Sequence, residues 1–286
     1  MNLFLAHGNK NWPSSRIRAW NVAEHWDDAE CYMYQDAKHL DLSSYDNIIL
    51  QKVLVPEALE LSKKHNVYLD LCDPDWWNKE IESMIREYLP WIKGVITSSE
   101  GLKSDFEQTF NVTPTWIDDR FPPEVKVREH QDIEYPVLVW LGMPGNRAPC
   151  LNPIGLTLQR LINNKIKFKF LIIDSEPGTK YLPWSFHELW KRDTIHDVLC
   201  RCDVALLPQL PGPWGQVKSD NKHATAWWAG LPVHDGLDYF TLKDLLINAN
   251  LRAETGDINR ETAELAYDIK SSVTQWSQLI SSEKVT

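Results

Sequence analysis

The amino-acid sequence predicts an α/β protein with two parallel sheets, and three features predict it. Short β-branched or apolar segments alternate with longer amphipathic ones, which is typical of parallel strands covered by helices. This alternation occurs on both sides of a charged, proline-containing segment, residues 121–134, that has little apolar periodicity. The length of 286 residues is enough for two medium-sized domains.

The first half of the chain is predicted to form one α/β unit that ends near Pro122. Its last helix follows a serine that can cap the helix N-terminus. The strands that stand out are Asn2–Ala6, Asn47–Gln51, Val67–Leu71, Gly94–Thr97 and Thr115–Ile117. The predicted helices are Ser15–Trp26, Pro56–His65 and Ser99–Phe110.

The second half repeats this pattern, so a second Rossmann-like half fits the remaining length. The predicted strands are Pro136–Leu141, Phe168–Ile173 and Val204–Pro208, and helices are expected near Pro153–Asn163 and Asp193–Arg201.

Apolar residues recur at helical spacing near the C-terminus and predict one long helix from Arg260 to Leu279. We expect this helix to pack back on the N-terminal domain. The predicted domains are residues 1–130, residues 131–259 and a C-terminal helix at 260–286.

The composition excludes several function classes. The chain has 30 Lys and Arg residues against 40 Asp and Glu residues, and the net charge of −10 opposes nonspecific attraction to phosphate backbones or anionic lipid. No apolar run reaches the ~20 residues that span a bilayer, and the N-terminus lacks the features of a signal peptide. Five cysteines without a paired CxxC framework are expected of reduced thiols. We expect a cytoplasmic protein without a membrane partner.

The most informative segment is Asp203–Gly236, which is predicted to contain a buried strand, a polar loop, a helix and a second strand. In open α/β sheets, ligands bind outside the carboxyl ends of strands, where helix N-termini favour anions. Lys218 and Lys222, with Ser219 and Asn221 between them, suit a diphosphate at such a place. From composition alone, a solvated helix face is the commoner setting for two such lysines, and their spacing does not decide between the two.

This segment resembles the donor site of retaining GT-B glycosyltransferases related to glycogen and sucrose synthases. The matching motif is W-x3-K-x3-K followed by A-G-L-P-V, which here is Trp214, Lys218, Lys222 and Ala229 to Val233. Upstream, VLVWLGMPGNRAPCLNPI and LPWSFHELWKRDTIHDVLCRCDVALLP are similar to the phosphate loop, the Trp-Ser turn and the following strand of the same group. The motifs match in order and spacing over about half of the chain.

The resemblance implies a GT-B fold, two Rossmann-like domains facing a cleft, that transfers a sugar from a nucleoside-diphosphate sugar to a hydroxyl with retention. It implies no metal and no cofactor, and it does not distinguish a UDP from a GDP donor. Lys222 would bind the phosphates and stabilise the charge of the leaving group, with Lys218 as second choice.

The remaining donor-binding residues are also implied by the resemblance. Gly142 would let backbone approach the diphosphate, Arg147 would add a cation unless it only faces solvent, and Trp184 would hold the base unless it is buried beneath its loop. The full set is Gly142, Gly145, Asn146, Arg147, Trp184, Ser185, Trp214, Ser219, Asn221 and Thr225. The group often carries Glu-x7-Glu, but Val217 and Thr225 stand at those positions, so ribose recognition must differ.

The first half matches this group more loosely, and its candidate residues are expected to bind the acceptor. His7, Ser15, Arg16 and Arg18 follow the first strand, although Ser15 could simply cap the next helix. Asp73, Asp75 and Trp76 follow the third predicted strand and suit hydroxyl binding, ring stacking or proton transfer by Asp73. Asp73-Pro74-Asp75 also matches a D-x-D metal motif of a different glycosyltransferase fold, which we do not expect here.

The sequence leaves the acceptor open among a glycan, a small metabolite, a protein and a hydroxymethylated base of viral DNA. Phage DNA-modifying transferases resemble this chain in architecture, and Lys10, Arg16 and Arg18 could line a cleft around a flipped base, although the acidic total charge opposes DNA. A noncatalytic nucleotide-sugar binding module, an epimerase or a phosphorylase would also fit. The oligomeric state is left open between monomer and homodimer.

Overall fold

The computed structural model describes residues 1–176 and 184–282. Residues 177–183, which include the first two residues of the matched segment LPWSFHELWKRDTIHDVLCRCDVALLP, and residues 283–286 of the predicted C-terminal helix lie outside the described residues. The chain forms two compact units, each with its own parallel sheet, and this confirms the predicted fold class. The N-terminal unit comprises Met1–Pro122, Gln216–Ser219 and Tyr267–Thr286, and the C-terminal unit comprises Pro123–Gly215 and Asp220–Ala266.

The sheet of the N-terminal unit has six parallel strands in the order β2-β1-β3-β4-β5-β6. They are β1 (Asn2–Ala6), β2 (Ala29–Met33), β3 (Asn47–Gln51), β4 (Val67–Leu71), β5 (Gly94–Thr97) and β6 (Thr115–Trp116). All residues of β1, β3 and β4 are buried, as expected of strands covered by helices on both faces. Ala6 pairs with Gln51 and Gln51 pairs with Asp70, so the carboxyl ends of these three strands lie at one edge.

The helices of this unit connect the strands and cover the sheet. They are α1 (Pro13–Ser15), a π-helix (Arg16–Trp20), α2 (Asn21–Glu24), α3 (Pro56–Ser62), α4 (Lys79–Tyr88) and α5 (Glu100–Phe110), with 3-10 turns at Tyr34–His39, Leu42–Ser44 and Asp75–Trp77. The Ser99 hydroxyl accepts a hydrogen bond from the backbone N–H of Leu102 and caps α5 as predicted.

This unit differs from the sequence prediction in several places, among them helix α4 (Lys79–Tyr88), which was not predicted. The segment Ser15–Trp26 is not one regular helix, because a π-helical stretch interrupts it where the Arg18 side chain enters the core. Strand β2 was not predicted because all five of its residues are half-buried, so it lacks the continuous apolar run of the central strands.

The sheet of the C-terminal unit has five parallel strands in the order β11-β10-β7-β8-β9. They are β7 (Val137–Leu141), β8 (Lys169–Asp174), β9 (Phe186–Leu189), β10 (Val204–Leu206) and β11 (Val233–His234). Its helices are α6 (Arg147–Leu151), α7 (Gly155–Asn163), α8 (Ile195–Leu199), α9 (Pro213–Gln216), α10 (Asn221–Trp228), α11 (Tyr239–Ile247) and α12 (Ala249–Ala266), with a 3-10 turn at Pro144–Asn146. No described helix combines the length and the apolar character needed to cross a membrane.

The predicted connector at residues 121–134 is anchored rather than free. The Arg128 backbone N–H donates to the carbonyl of Ala229, and its guanidinium lies 2.8 Å from the buried carboxylate of Asp203. Contacts divide the chain after Pro122 and Ala266 and assign Gln216–Ser219 to the N-terminal unit, whereas the sequence placed the domain boundaries at residues 130 and 259.

The predicted single C-terminal helix is wrong, because α12 ends at Ala266 and a separate helix, α13 (Ile269–Ser282), follows. Between them the backbone leaves the helix to pair with Phe121, whose N–H donates to Tyr267 and whose carbonyl accepts from Ile269, both at 2.9 Å. The Trp276 ring of α13 packs edge-on against Phe4 at 5.4 Å between centroids. Helix α13 therefore covers the sheet of the N-terminal unit, as the sequence analysis expected of the C-terminal helix.

Candidate active site

Charged side chains collect at the carboxyl edge of the N-terminal sheet. Lys52 directly follows β3, and its Nζ lies 2.6 Å from Asp73 Oδ2 and 2.9 Å from Asp75 Oδ2, which both follow β4. The backbone φ of Lys52 is +54°, a left-handed conformation that is uncommon outside glycine and that clusters at functional sites. Sequence reasoning missed Lys52, although a lysine directly after a buried strand could have signalled it.

Asp73 is held between two lysines, because the ammonium of Lys218 pairs with its other carboxylate oxygen. Burial raises the pKa of Asp73, but Lys218 and Lys52 outweigh burial and hold the pKa below the ordinary value. A carboxylate with a lowered pKa is a weak base. The arrangement therefore favours Asp73 as a hydrogen-bond acceptor over the proton-transfer role that the sequence suggested.

Residues 216–219 are bound into the N-terminal unit by several contacts. The Ser99 hydroxyl donates to the carbonyl of Val217 at 2.6 Å, and the Ser219 hydroxyl hydrogen-bonds to Asp119. A Cβ on Gly101 would lie 3.0 Å from the Cα of Val217, so glycine eases the close approach of the two segments. Lys218 and Ser219 thus belong to the N-terminal unit and Lys222 to the other, which corrects the prediction of one shared helix start.

Arg18 was predicted to bind the acceptor, but it is 3% exposed and forms a buried network. Its Nε donates to Asp70 at 3.1 Å, and its Nη1 both donates to the carbonyl of Ile117 and lies 3.3 Å from Asp119. Replacing Arg18 or Asp70 by a neutral residue would leave the buried charge of the other without its partner. Arg18 is a structural residue that fixes the strand ends beneath the site.

Two further acceptor-binding predictions are corrected by burial. Ser15 is fully buried, where its hydroxyl donates to Gln51 at 2.7 Å and accepts from the N–H of Gly8 at 2.9 Å. Trp76 is 1% exposed, and its indole N–H donates to Asp105 at 2.6 Å. Neither can contact a ligand without rearrangement.

The other acceptor-binding candidates lie in different surroundings. His7 is exposed directly after β1, Arg16 is half-buried in the π-helix, and Asp75 is half-buried beside Lys52.

In the C-terminal unit the structure brings Lys222 next to Gly142. Gly142 follows β7, and a Cβ built on it would lie 2.7 Å from the Trp140 ring and 3.4 Å from Lys222 Nζ. The same Nζ lies 5.9 Å from the Trp140 ring centroid, within cation–π range. An ammonium group is thus placed at the carboxyl edge of the sheet, beside a position where only glycine fits.

Arg147 differs from its predicted role as a second phosphate-binding cation. It is 8% exposed, and its Nε lies 2.8 Å from Asp174 Oδ2 at the end of β8. Asp174 also contacts the ring Nε2 of His187 at 2.9 Å. The charge of Arg147 is balanced by this pair, which argues against the predicted role in phosphate binding.

The remaining donor-binding candidates show mixed surroundings. Trp184 is half-buried and packs edge-on against Phe168 at 5.4 Å between centroids, which favours the packing interpretation. Thr225 Oγ1 donates to the carbonyl of Asn221 within α10 at 2.7 Å. Gly145 and Asn146 form a short turn after Gly142, Ser185 is buried, and Trp214 is 37% exposed.

Among residues 1–176 and 184–282, no group of three or more His, Cys, Asp or Glu side chains is arranged to hold a metal ion. The Lys52 ammonium already lies between the carboxylates of Asp73 and Asp75.

Comparison with known proteins gives structural matches only. No family model and no curated protein matches the sequence. An alpha-glucosyltransferase solved with UDP and DNA containing an HMU base superposes with a TM-score of 0.68 at 8% identity, over 98% of each chain. WaaG, a glycosyltransferase involved in lipopolysaccharide biosynthesis, gives 0.60 at 12% identity over 98% of this chain and 99% of its own.

A third match is a point mutant of S. aureus TarM, solved with fondaparinux, alpha-GlcNAc-glycerol and UDP. It gives a TM-score of 0.59 at 15% identity and covers 82% of this chain. The chain spans only 55% of the length of TarM. Identities this low establish the fold alone, and the chain has the α/β GT-B fold that the sequence resemblance implies.

Gly142 and Gly145 give a matched test of the site geometry. We expect Gly142→Ala to lower the free energy of unfolding by about 1–3 kcal/mol, because the added methyl meets the Trp140 ring. Gly145→Ala is the control, since no other described heavy atom lies within 4 Å of its Cβ. Urea denaturation of both variants measures this difference, and equal stabilities would contradict the geometry.

The lowered pKa of Asp73 predicts how stability depends on pH. The folded chain binds this proton less readily than the unfolded chain, so the contribution of Asp73 is complete above its ordinary value of 3.8 and is lost as pH falls below it. Asp73→Asn should lower the free energy of unfolding by about 1–3 kcal/mol near neutral pH, and this difference should shrink below pH 3.8.

Urea titrations at several pH values measure that difference, with Asp27→Asn, an exposed aspartate of the same unit, as control. If the difference in free energy of unfolding between wild type and Asp73→Asn stays constant into the acid range, the ion pairs of Asp73 with Lys52 and Lys218 do not stabilise its carboxylate.

Proposed function

We propose that this chain is a glycosyltransferase that moves a sugar from a nucleoside-diphosphate sugar to an acceptor hydroxyl. The observation that carries the proposal is Lys222 beside Gly142 at the carboxyl edge of the C-terminal sheet. Ligands of open α/β sheets bind at this edge, and a glycine lets a diphosphate approach the backbone there. The three structural matches described above bear the names of sugar transferases or were solved with their ligands, which supports this interpretation of the fold.

In the proposed reaction the bond between the anomeric carbon and the diphosphate oxygen breaks as the acceptor oxygen forms a new bond to that carbon. Lys222 stabilises the negative charge that grows on the leaving diphosphate, and the N–H groups at the start of α10 add to this stabilisation. The acceptor proton passes to a phosphate oxygen of the leaving group. This route requires no protein side chain as the base.

Retention of configuration belongs to the proposal, because the sequence motifs resemble those of a retaining group. A uridine nucleotide is the first donor to test, since two of the matched structures contain UDP. The reaction as proposed uses no metal and no cofactor.

A hydroxymethylated base of DNA is a second candidate acceptor. The observation in its favour is the full-length match to the alpha-glucosyltransferase solved with UDP and DNA containing an HMU base. The net charge of −10 opposes it, because each phosphate contact needs a cationic partner.

The direct test is release of the nucleoside diphosphate from UDP-glucose, UDP-N-acetylglucosamine and GDP-mannose, with a mixture of disaccharides or a duplex containing hydroxymethyluracil as acceptor. We expect Lys222→Ala to lower kcat by about 10²–10³, as for loss of one group that stabilises leaving-group charge. Lys169→Ala is the control, because Lys169 is an exposed lysine at the amino edge of the same sheet. Unchanged turnover in Lys222→Ala would refute this assignment.

A further inference from the structure

We propose that the indole of Trp12 is the surface on which a sugar ring of the acceptor stacks. This inference rests on the proposed function and specifies its acceptor as a carbohydrate. Trp12 lies in the loop that leaves the carboxyl end of β1, and its side chain is 52% exposed. Exposure alone is ordinary for a single aromatic residue, so the case depends on how the loop is built.

The loop is fixed from beneath by buried hydrogen bonds. The Gly8 N–H donates to the Ser15 hydroxyl at 2.9 Å, and that hydroxyl donates to Gln51 at 2.7 Å. The Trp20 indole N–H donates to the carbonyl of Gly8 at 3.0 Å. These bonds attach the loop to β3 and to the following π-helix, so its backbone has little freedom.

The same loop holds the Trp12 side chain in place. A Cβ on Gly8 would lie 2.7 Å from the Cβ of Trp12, so only glycine lets the indole lie across this part of the loop. The backbone N–H of Trp12 donates to the carbonyl of Asn9 at 2.9 Å, and the His7 ring packs edge-on against the indole at 6.2 Å between centroids. A rigid aromatic face binds a ring with little loss of conformational entropy.

The position of the loop relates Trp12 to the charged cluster. Strands β1, β3 and β4 are neighbours in register, so the ends of β1 and β4 lie about 10 Å apart, two strand spacings. Linked sugar rings can bridge such a distance. A ring stacked on Trp12 would leave its hydroxyls, or those of the next ring, to hydrogen-bond with Asp73 and Asp75.

The charges at this edge favour a neutral, hydroxyl-rich ligand over a nucleic acid. Lys52 and Lys218 are balanced by Asp73 and Asp75, and Lys10 pairs with Glu24. A phosphate backbone needs several cations in excess of the acids, whereas a sugar offers a C–H face to an indole and hydroxyls to carboxylates. A carbohydrate therefore suits both the exposed indole and the carboxylates at this edge.

The test measures binding of maltose, cellobiose and lactose by isothermal titration, without donor, to wild type and variants. We expect at least one disaccharide to bind wild type, Trp12→Ala to raise its Kd roughly tenfold, and Trp12→Phe to stay within about threefold because a ring remains. Trp91→Ala is the matched control, since Trp91 is 50% exposed in the same unit but precedes β5 at the opposite edge of the sheet. The unfolding midpoint of each variant confirms that it is folded.

The proposal is overturned if wild type binds none of the disaccharides, or if Trp12→Ala binds them as Trp91→Ala does. It is also overturned if a duplex containing hydroxymethyluracil binds through Trp12 and the sugars do not. Because binding is measured without turnover, the outcome is separate from the proposed reaction. If disaccharide binding depends on Trp12 but the protein releases no diphosphate from any donor, the proposed transferase activity is refuted and the proposed stacking site is supported.

Discussion

The arrangement of this protein depends on one constraint of parallel sheets, which is that every strand delivers its following loop to the same edge. In the N-terminal unit the register of β1, β3 and β4 places Lys52 and Asp73 together although they are 21 positions apart in the sequence. In the C-terminal unit the same geometry places Gly142 after β7 near Lys222 at the start of α10. The chemistry of each unit collects at its carboxyl edge for this reason.

Buried ion pairs hold these edges in shape, and they explain why several charged residues are not available to ligands. Arg18 with Asp70, Arg147 with Asp174, and Arg128 with Asp203 each join an arginine to a carboxylate that is fully buried. Since a buried charge without its partner is costly, these pairs constrain where the backbone can go. The residues proposed to contact ligands, Lys222 and Trp12, are not members of these three pairs.

The fold was largely predictable because its central strands are continuous buried apolar runs. The bounds of β1, β3, β4 and β5 agree with the sequence prediction, since burial on both faces leaves a clear pattern. Half-buried β2 left no such pattern, and the break between α12 and α13 depends on pairing with Phe121, which is distant in sequence.

The candidate site was predictable only where neighbours in sequence or a family motif fixed it. Gly142 and Lys222, which the motif assigned separately to donor binding, lie next to each other. The partner of Lys218 is Asp73, 145 residues away, and helical spacing carries no information about such a contact. The burial of Arg18 and Trp76 could not be predicted either. The sequence pattern around a charged or aromatic residue that follows a strand does not show whether its side chain is buried or exposed.

The central claim is that Lys222 holds the diphosphate of a nucleotide donor. The most direct measurement is the shift in unfolding temperature that UDP produces in wild type and in Lys222→Ala, since a ligand that binds only the folded chain raises its apparent stability. The account predicts a rise in wild type that is largely lost in the variant. An equal rise in both proteins, or no rise in wild type with any nucleoside diphosphate, would contradict it.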